Sequence, residues 1–191
     1  MIHINIKLRH IIATLIYISA PTISYAALEQ TGVIKLNGYI YSATCTLDIN
    51  SQGPSLANIN MGRFSTSAFT DVNSEVGGTG ENGKISVTLT DCPDNGTVNL
   101  TFNGSIGDKN TILELDNPND NGTAKNVGIH LYNEDDLSTP LVLDGSKVYS
   151  QKIVGQSANW TGGFIAKYVS TASSVTAGQA NASINYKITY N

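Results

Sequence analysis

Few residues in this chain could carry chemistry, and their spacing limits what they can do. Three histidines occur, His3, His10 and His130. The first two fall in a stretch with the layout of an export leader, so His130 is the one imidazole that follows it. A Ser-His-Asp site needs a base held by an acid, and only His130 could serve. It alternates with Ile129 and Leu131 in "NVGIHLYN", which places it on the more polar side of an extended run and predicts a surface histidine. Glu134, Asp135 and Asp136 in "NEDD" offer the carboxylates a glycosidase would pair, but acids crowded into a turn are ordinarily solvated. "NPNDNG" sets Asn117, Asn119 and Asn121 before Gly122 like the start of a calcium loop. The twelfth position of that loop is Gly128 where a bidentate Glu is needed, so it reads as a plain turn. "GTGENG" at 78–83 spaces glycines like a dinucleotide fingerprint but precedes its strand instead of following one, which makes it a loop. Asn-x-Ser/Thr triplets, as at Asn95, Asn103 and Asn159, are expected by chance in a chain this rich in those residues. One histidine and two cysteines assemble no transition-metal site. The inventory assigns no catalytic, cofactor-binding or metal residue, and predicts a protein that is not an enzyme and takes no cofactor.

The N-terminus explains where such a chain works. Lys7, Arg9 and His10 precede the apolar run "IIATLIYISA", Pro21 interrupts it, and Ser24 and Ala26 offer small residues for cleavage. That is the three-part layout of a secretory signal, and the run is too short for the roughly 20 residues of a membrane span. Residues 1–26 are therefore expected to be a signal peptide, with a mature chain of 27–191 about one domain long. Once Lys7 and Arg9 leave, nine basic residues face fifteen acidic ones, a formal charge of −6. An acidic surface without a basic cluster argues against nucleic acid. Cys45 and Cys92, an even count in an exported chain, read as one disulfide.

Period-two patterning dominates the mature chain. "GVIKLNG", "GYIYSATCTL", "KISVTLTDC", "TVNLTFNG", "NVGIHLYN", "PLVLDG", "GGFIAKYVST" and the terminal "GQANASINYKITYN" read as strands, parted by turns rich in Gly, Asn, Asp and Pro. Many short strands of this kind predict a β-sandwich. Residues 48–83 read as a long connection with a short strand near "ANINMG". Cys92 breaks the parity of Ile85, Val87 and Leu89, which predicts a bulge or a strand end at Asp91. In the last run Ala180, Ala182, Ile184, Tyr186, Ile188 and Tyr190 share one face, and the strand runs to the end of the sequence.

These features together resemble the pilin subunits of bacterial chaperone–usher fimbriae, especially the type 1 subunits. The resemblance rests on "GVIKLNGYIYSATCTL", "ISVTLTDC", "VGIHLYN" followed by "STPLVLDG", and "FIAKYVSTASSVTAGQANASINYKITYN", with Gly178 fourteenth from the end and Tyr190 penultimate. Ile85 in "KISV" departs from it, standing where the family often has an aromatic. The resemblance implies an all-β, incomplete immunoglobulin-like β-sandwich that lacks its seventh strand and is completed by a donor strand. It implies a donor-strand extension at 27–37, presenting Leu28, Gln30, Gly32, Ile34 and Leu36, ahead of a pilin domain at 38–191. Gly178, Ala180, Ala182, Ile184, Tyr186, Ile188 and Tyr190 would form the groove strand. The implied function is a structural fimbrial subunit that polymerises by donor-strand exchange and supports adhesion. Its implied partners are neighbouring pilin subunits, a periplasmic chaperone, an outer-membrane usher and an unidentified host receptor, on a route through the periplasm to the cell surface. The competing expectation is a secreted or tip glycan-binding adhesin module, with Trp160 and Tyr168 as a sugar-stacking surface. Against it stand the single domain and the N-terminal extension.

Overall fold

The computed structural model describes residues 45–92, 95–154 and 158–191. The expected signal peptide at 1–26 and donor extension at 27–37 lie outside them, as does the start of the expected domain at 38–191. The described residues form eight strands: β1 (Thr46–Ile49), β2 (Glu75–Val76), β3 (Lys84–Cys92), β4 (Gly96–Gly104), β5 (Val127–Asn133), β6 (Tyr149–Ile153), β7 (Ala158–Ser170) and β8 (Ile184–Tyr190). Five of them make one sheet, in the order β1-β3-β7-β2 with β5 on the other side of β7; the remaining three make a second sheet, β6-β4-β8. All strand pairs are antiparallel.

Alternation explains the layering. Val87 and Leu89 of β3 point inward between half-exposed Ser86, Thr88 and Thr90, and Val98, Leu100 and Phe102 of β4 do the same from the second sheet. Phe102 meets Phe164 of β7 edge to face across the sandwich, with ring centroids 5.3 Å apart. Each such side chain contributes about 1.5–3 kcal/mol when fully buried. The interior divides in two. A large cluster runs from Ile49 through Leu100, Leu131 and Tyr168. A smaller one gathers Leu89, Cys92, Val98 and Ile153 at the disulfide end. All-β layering with a three-stranded face is the incomplete immunoglobulin-like sandwich expected.

Cys45 and Cys92 are joined, stapling the entry to edge strand β1 onto the end of β3. Closing a loop of 47 residues' separation stabilises by about 4 kcal/mol in the chain-entropy account. Of the bulge or strand end expected at Asp91, the structure has the bulge: the β3–β7 register shifts between Leu89 and Cys92, and Asp91 has φ 56°.

Three local expectations differ from the structure. "PLVLDG" forms no ladder strand, although Leu141 and Leu143 are buried; Leu141 N–H donates to Leu131 O and Leu143 N–H to Asn110 O, each at 2.7 Å, and Leu143 O accepts from Gly104 N–H at 2.9 Å. "ANINMG" is extended, with Ala57, Ile59 and Met61 turned inward, but outside any strand. β6, absent from the sequence reading, is an edge strand with Ser150, Gln151 and Lys152 exposed, so it carries almost no apolar alternation.

The long connection is anchored at Gly83, whose N–H donates to Asn60 O and whose carbonyl accepts from Ala166 N–H, both at 2.8 Å. Its φ is +75°, and a Cβ there would stand 2.1 Å from the Ala166 carbonyl oxygen. Gly83→Ala is expected to cost about 2 kcal/mol or more of stability, from left-handed strain plus backbone displacement. Denaturant unfolding measures it, and an unchanged midpoint would contradict the close approach.

Candidate functional site: an apolar groove between the sheets

The second sheet is narrower than the first, and β8 lies at its edge, paired with β4 alone among the described residues. β4 runs out at Gly104, opposite Ile184, so among the described residues the chain before Ile184 has no ladder to join. Residues 180–183 stay extended by other means: Asn181 O accepts from Asp116 N–H at 2.7 Å, and the Asp116 carboxylate accepts from Ser183 N–H and Oγ at 3.1 and 3.0 Å. Ala180, Ala182, Ile184 and Tyr186 thus keep one inward face, while Asn181, Ser183 and Asn185 are exposed.

Opposite this wall runs the extended stretch 55–62. Between the two walls lies a groove of about 590 Å³, floored by Val87, Leu100, Phe102, Leu131, Ala166 and Tyr168. Tyr168 holds the upper wall through its hydroxyl, which donates to Ala180 O at 2.8 Å, and stacks edge-on against Phe64 of the connection. Tyr186 reaches across the groove and donates to Pro54 O. The floor is apolar, while Ser55, Asn58, Asn60, Asp116, Asn181 and Ser183 bring polar groups to the walls. What it can do is bury alternate side chains of an extended segment laid along β8.

The expected groove residues separate into three sets. Ala180, Ala182, Ile184 and Tyr186 line the groove. Ile188 and Tyr190 lie beyond it, packed on the smaller cluster with Leu89 and Val98. Gly178 is exposed and no part of the wall: it crosses the backbone of 122–124, where a Cβ would fall 2.4–2.7 Å from main-chain atoms, and Gln179 exchanges bonds of 2.8 and 2.9 Å with Gly122 and Ala124. The expected strand from Gly178 therefore begins six residues later, at Ile184. The donor residues Leu28, Gln30, Gly32, Ile34 and Leu36 lie outside the described residues. The far wall, 55–62, went unrecognised as a site element. The alternation of Ala57, Ile59 and Met61 was its one signal.

His130 corrects the surface reading. It is 9% exposed, because the connection folds back over the outer face of β7 and β5. Glu75 of β2 crosses that face. With the proton on Nδ1, His130 donates to Glu75 Oε1 at 2.7 Å; Tyr132 Oη donates to the same oxygen, and Lys167 Nζ to Oε2 at 3.3 Å. Trp160 packs on both interior clusters, and Tyr168 is the groove floor, so the two form no exposed sugar-stacking surface. In "NPNDNG" the Lys125 ammonium caps the Pro118 and Asp120 carbonyls, as suits a turn.

The fold and groove define a class: an immunoglobulin-like sandwich one strand short, with an apolar slot beside its last strand. A family model described as fimbrial protein matches residues 34–191, and the chain belongs to that family. A probable major fimbrial subunit, LpfA, of Escherichia coli O157:H7 is 30% identical over 87% of each chain. A type 1 fimbrial subunit of Salmonella typhimurium is 27% identical over 94% of this chain and 95% of its own. Among solved structures, the P pilus rod subunit PapA superposes with a TM-score of 0.56 at 18% identity, covering 78% of this chain and all of that one. A chaperone–usher pilus structure gives 0.57 at 21%, over 90% of this chain and all of that one. The protein is a structural, non-enzymatic subunit of a cell-surface fimbrium, assembled with other subunits.

The Glu75 cluster gives a pH signature. Burial pushes its carboxyl up, but hydrogen bonds from Tyr132 and His130 and the Lys167 ammonium outweigh that and hold it below the usual carboxylate value. A depressed folded pKa contributes stability that is present above the ordinary carboxylate range and lost as pH falls through the folded value. Glu75→Gln is therefore expected to lower stability at neutral pH and to flatten its decline into acid. Thermal melts from pH 7 to pH 2 measure this; parallel curves for the two proteins would refute it.

Proposed function

We propose that the subunit polymerises by donor-strand complementation, its groove taking the 27–37 extension of a neighbouring subunit. The observation that carries this reading is the groove itself: about 590 Å³ of apolar slot along β8, a strand with one partner among the described residues. An unpaired apolar edge is an aggregation hazard unless something covers it. The 27–37 extension supplies fitting chemistry, with Leu28, Gln30, Gly32, Ile34 and Leu36 at alternate positions. Main-chain bonds along β8 give affinity, and alternate side chains in the slot give register. Each interface is heterologous, so it propagates as an open fibre.

Two consequences complete the reading. Before assembly a periplasmic chaperone lends the groove a strand of its own, and an outer-membrane usher presides over the exchange for the next subunit. The route is through the periplasm, with the leader at 1–26 removed. Support of adhesion belongs to the fibre as a whole.

A subunit lacking 27–37, mixed with a synthetic peptide of those residues, tests the reading. At a peptide concentration of about 100 Kd, linkage adds about 2.7 kcal/mol, and the melting temperature rises by roughly 5–10 °C. A peptide with Ile34→Asp and Leu36→Asp does not produce the rise. If the shortened domain melts high and ignores both peptides, its sandwich is already complete and the donor reading fails.

A further inference from the structure

Alternation alone leaves the register of an inserted strand unsettled. A slip of one residue turns every side chain to the wrong face, but a slip of two restores the pattern. The groove wall from Ala180 to Tyr186 has room for about seven residues at roughly 3.3 Å each, so four alternate side chains face inward. The 27–37 segment offers five. Leu28 to Ile34 and Gln30 to Leu36 satisfy the same alternation, one register with two large aliphatic groups at its ends and the other with both at one end. Something in the groove must choose.

Both walls stop at the same place. On one side the lining ends at Tyr186, and on the other it begins at Ser55. The Tyr186 hydroxyl donates to the carbonyl of Pro54, the residue just before Ser55, and so joins the walls at that end. Beyond the junction the sheets close on the smaller cluster, to which Ile188 and Tyr190 contribute. Apolar side chains pushed past this point would part the hydroxyl from the carbonyl and replace that bond with no polar contact of their own. The bond lies at the exposed end of the groove, so parting it forfeits the modest net contribution of one hydrogen bond.

We propose that Tyr186, through its bond to Pro54, is the end-stop of the groove and the residue that determines the register of the inserted strand. This rests on the donor reading above. It assigns the bond a task distinct from packing: the Tyr186 ring fills space in the wall, while the hydroxyl bars the two-residue slip.

Cysteine pairing in fibres of the full chain tests it. Leu36→Cys in the extension is combined in turn with Ser55→Cys, Ala57→Cys, Ile59→Cys and Met61→Cys on the far wall, and intersubunit disulfides are quantified. One pair is expected to dominate. With Tyr186→Phe added, the pair two residues away is expected to rise about fivefold against it, the effect of one lost hydrogen bond. Pro54→Ala keeps the carbonyl and should leave the distribution as it was. The end-stop is overturned if Tyr186→Phe leaves the same single pair, or if Pro54→Ala mixes registers as Phe does, since local stiffness would then be the cause. Absence of intersubunit pairs in every combination would overturn the donor reading and the end-stop with it.

Discussion

The structure turns on unequal coverage of one apolar layer. A five-stranded sheet faces a three-stranded one, and among the described residues part of the first sheet's inner face, at Val87, Leu131, Ala166 and Tyr168, looks into the groove. Burial of apolar surface is the main favourable term in folding, so a layer left partly without its counterpart is a standing demand for one more strand. The groove beside β8 is that demand given shape. Its chemistry follows directly: an apolar floor between walls that carry polar groups at alternate positions is suited to receiving an extended strand.

Much of the remaining architecture holds the two groove walls apart. The upper wall depends on the Asp116 carboxylate and the Tyr168 hydroxyl, which fix 180–183 without a sheet ladder. The lower wall depends on the connection between β1 and β3, tied down at Gly83 and Phe64. Further along the same connection, Glu75 fastens β2 across β7 to His130 and Tyr132 of β5. A charged cluster on the outside of one sheet thus serves a cavity on its inside, because one continuous segment touches both. Ser170, fully buried, adds bonds from its hydroxyl to Asp71 and Ser74 carbonyls at the same junction.

Solved pilus subunits at 18% and 21% identity share this architecture. That tolerance is physical. A strand needs alternation and a fitting volume more than particular residues, whereas the positions that admit little variation are those where backbones cross. At Gly178 and Gly83 a single methyl group would meet main-chain atoms of another segment.

The sequence by itself determined the strands whose two faces differ. β3, β4, β5 and β7 were legible because burial on one side and solvent or polar neighbours on the other impose a period of two, and the Asp91 bulge because Cys92 breaks it. The disulfide followed from count and compartment. Only the tertiary structure decided matters in which a residue's partner lies far along the chain. His130 alternates like a surface residue yet is buried, because Glu75, 55 residues away, closes over it. β6 escaped notice because an edge strand with polar exposed faces has no signature to read. β8 begins at Ile184 and not at Gly178, because a ladder extends only as far as its neighbour, and β4 ends at Gly104. Local pattern records which face a side chain seeks; the end of a partner strand and the arrival of a distant segment are set by packing, and no local pattern contains them.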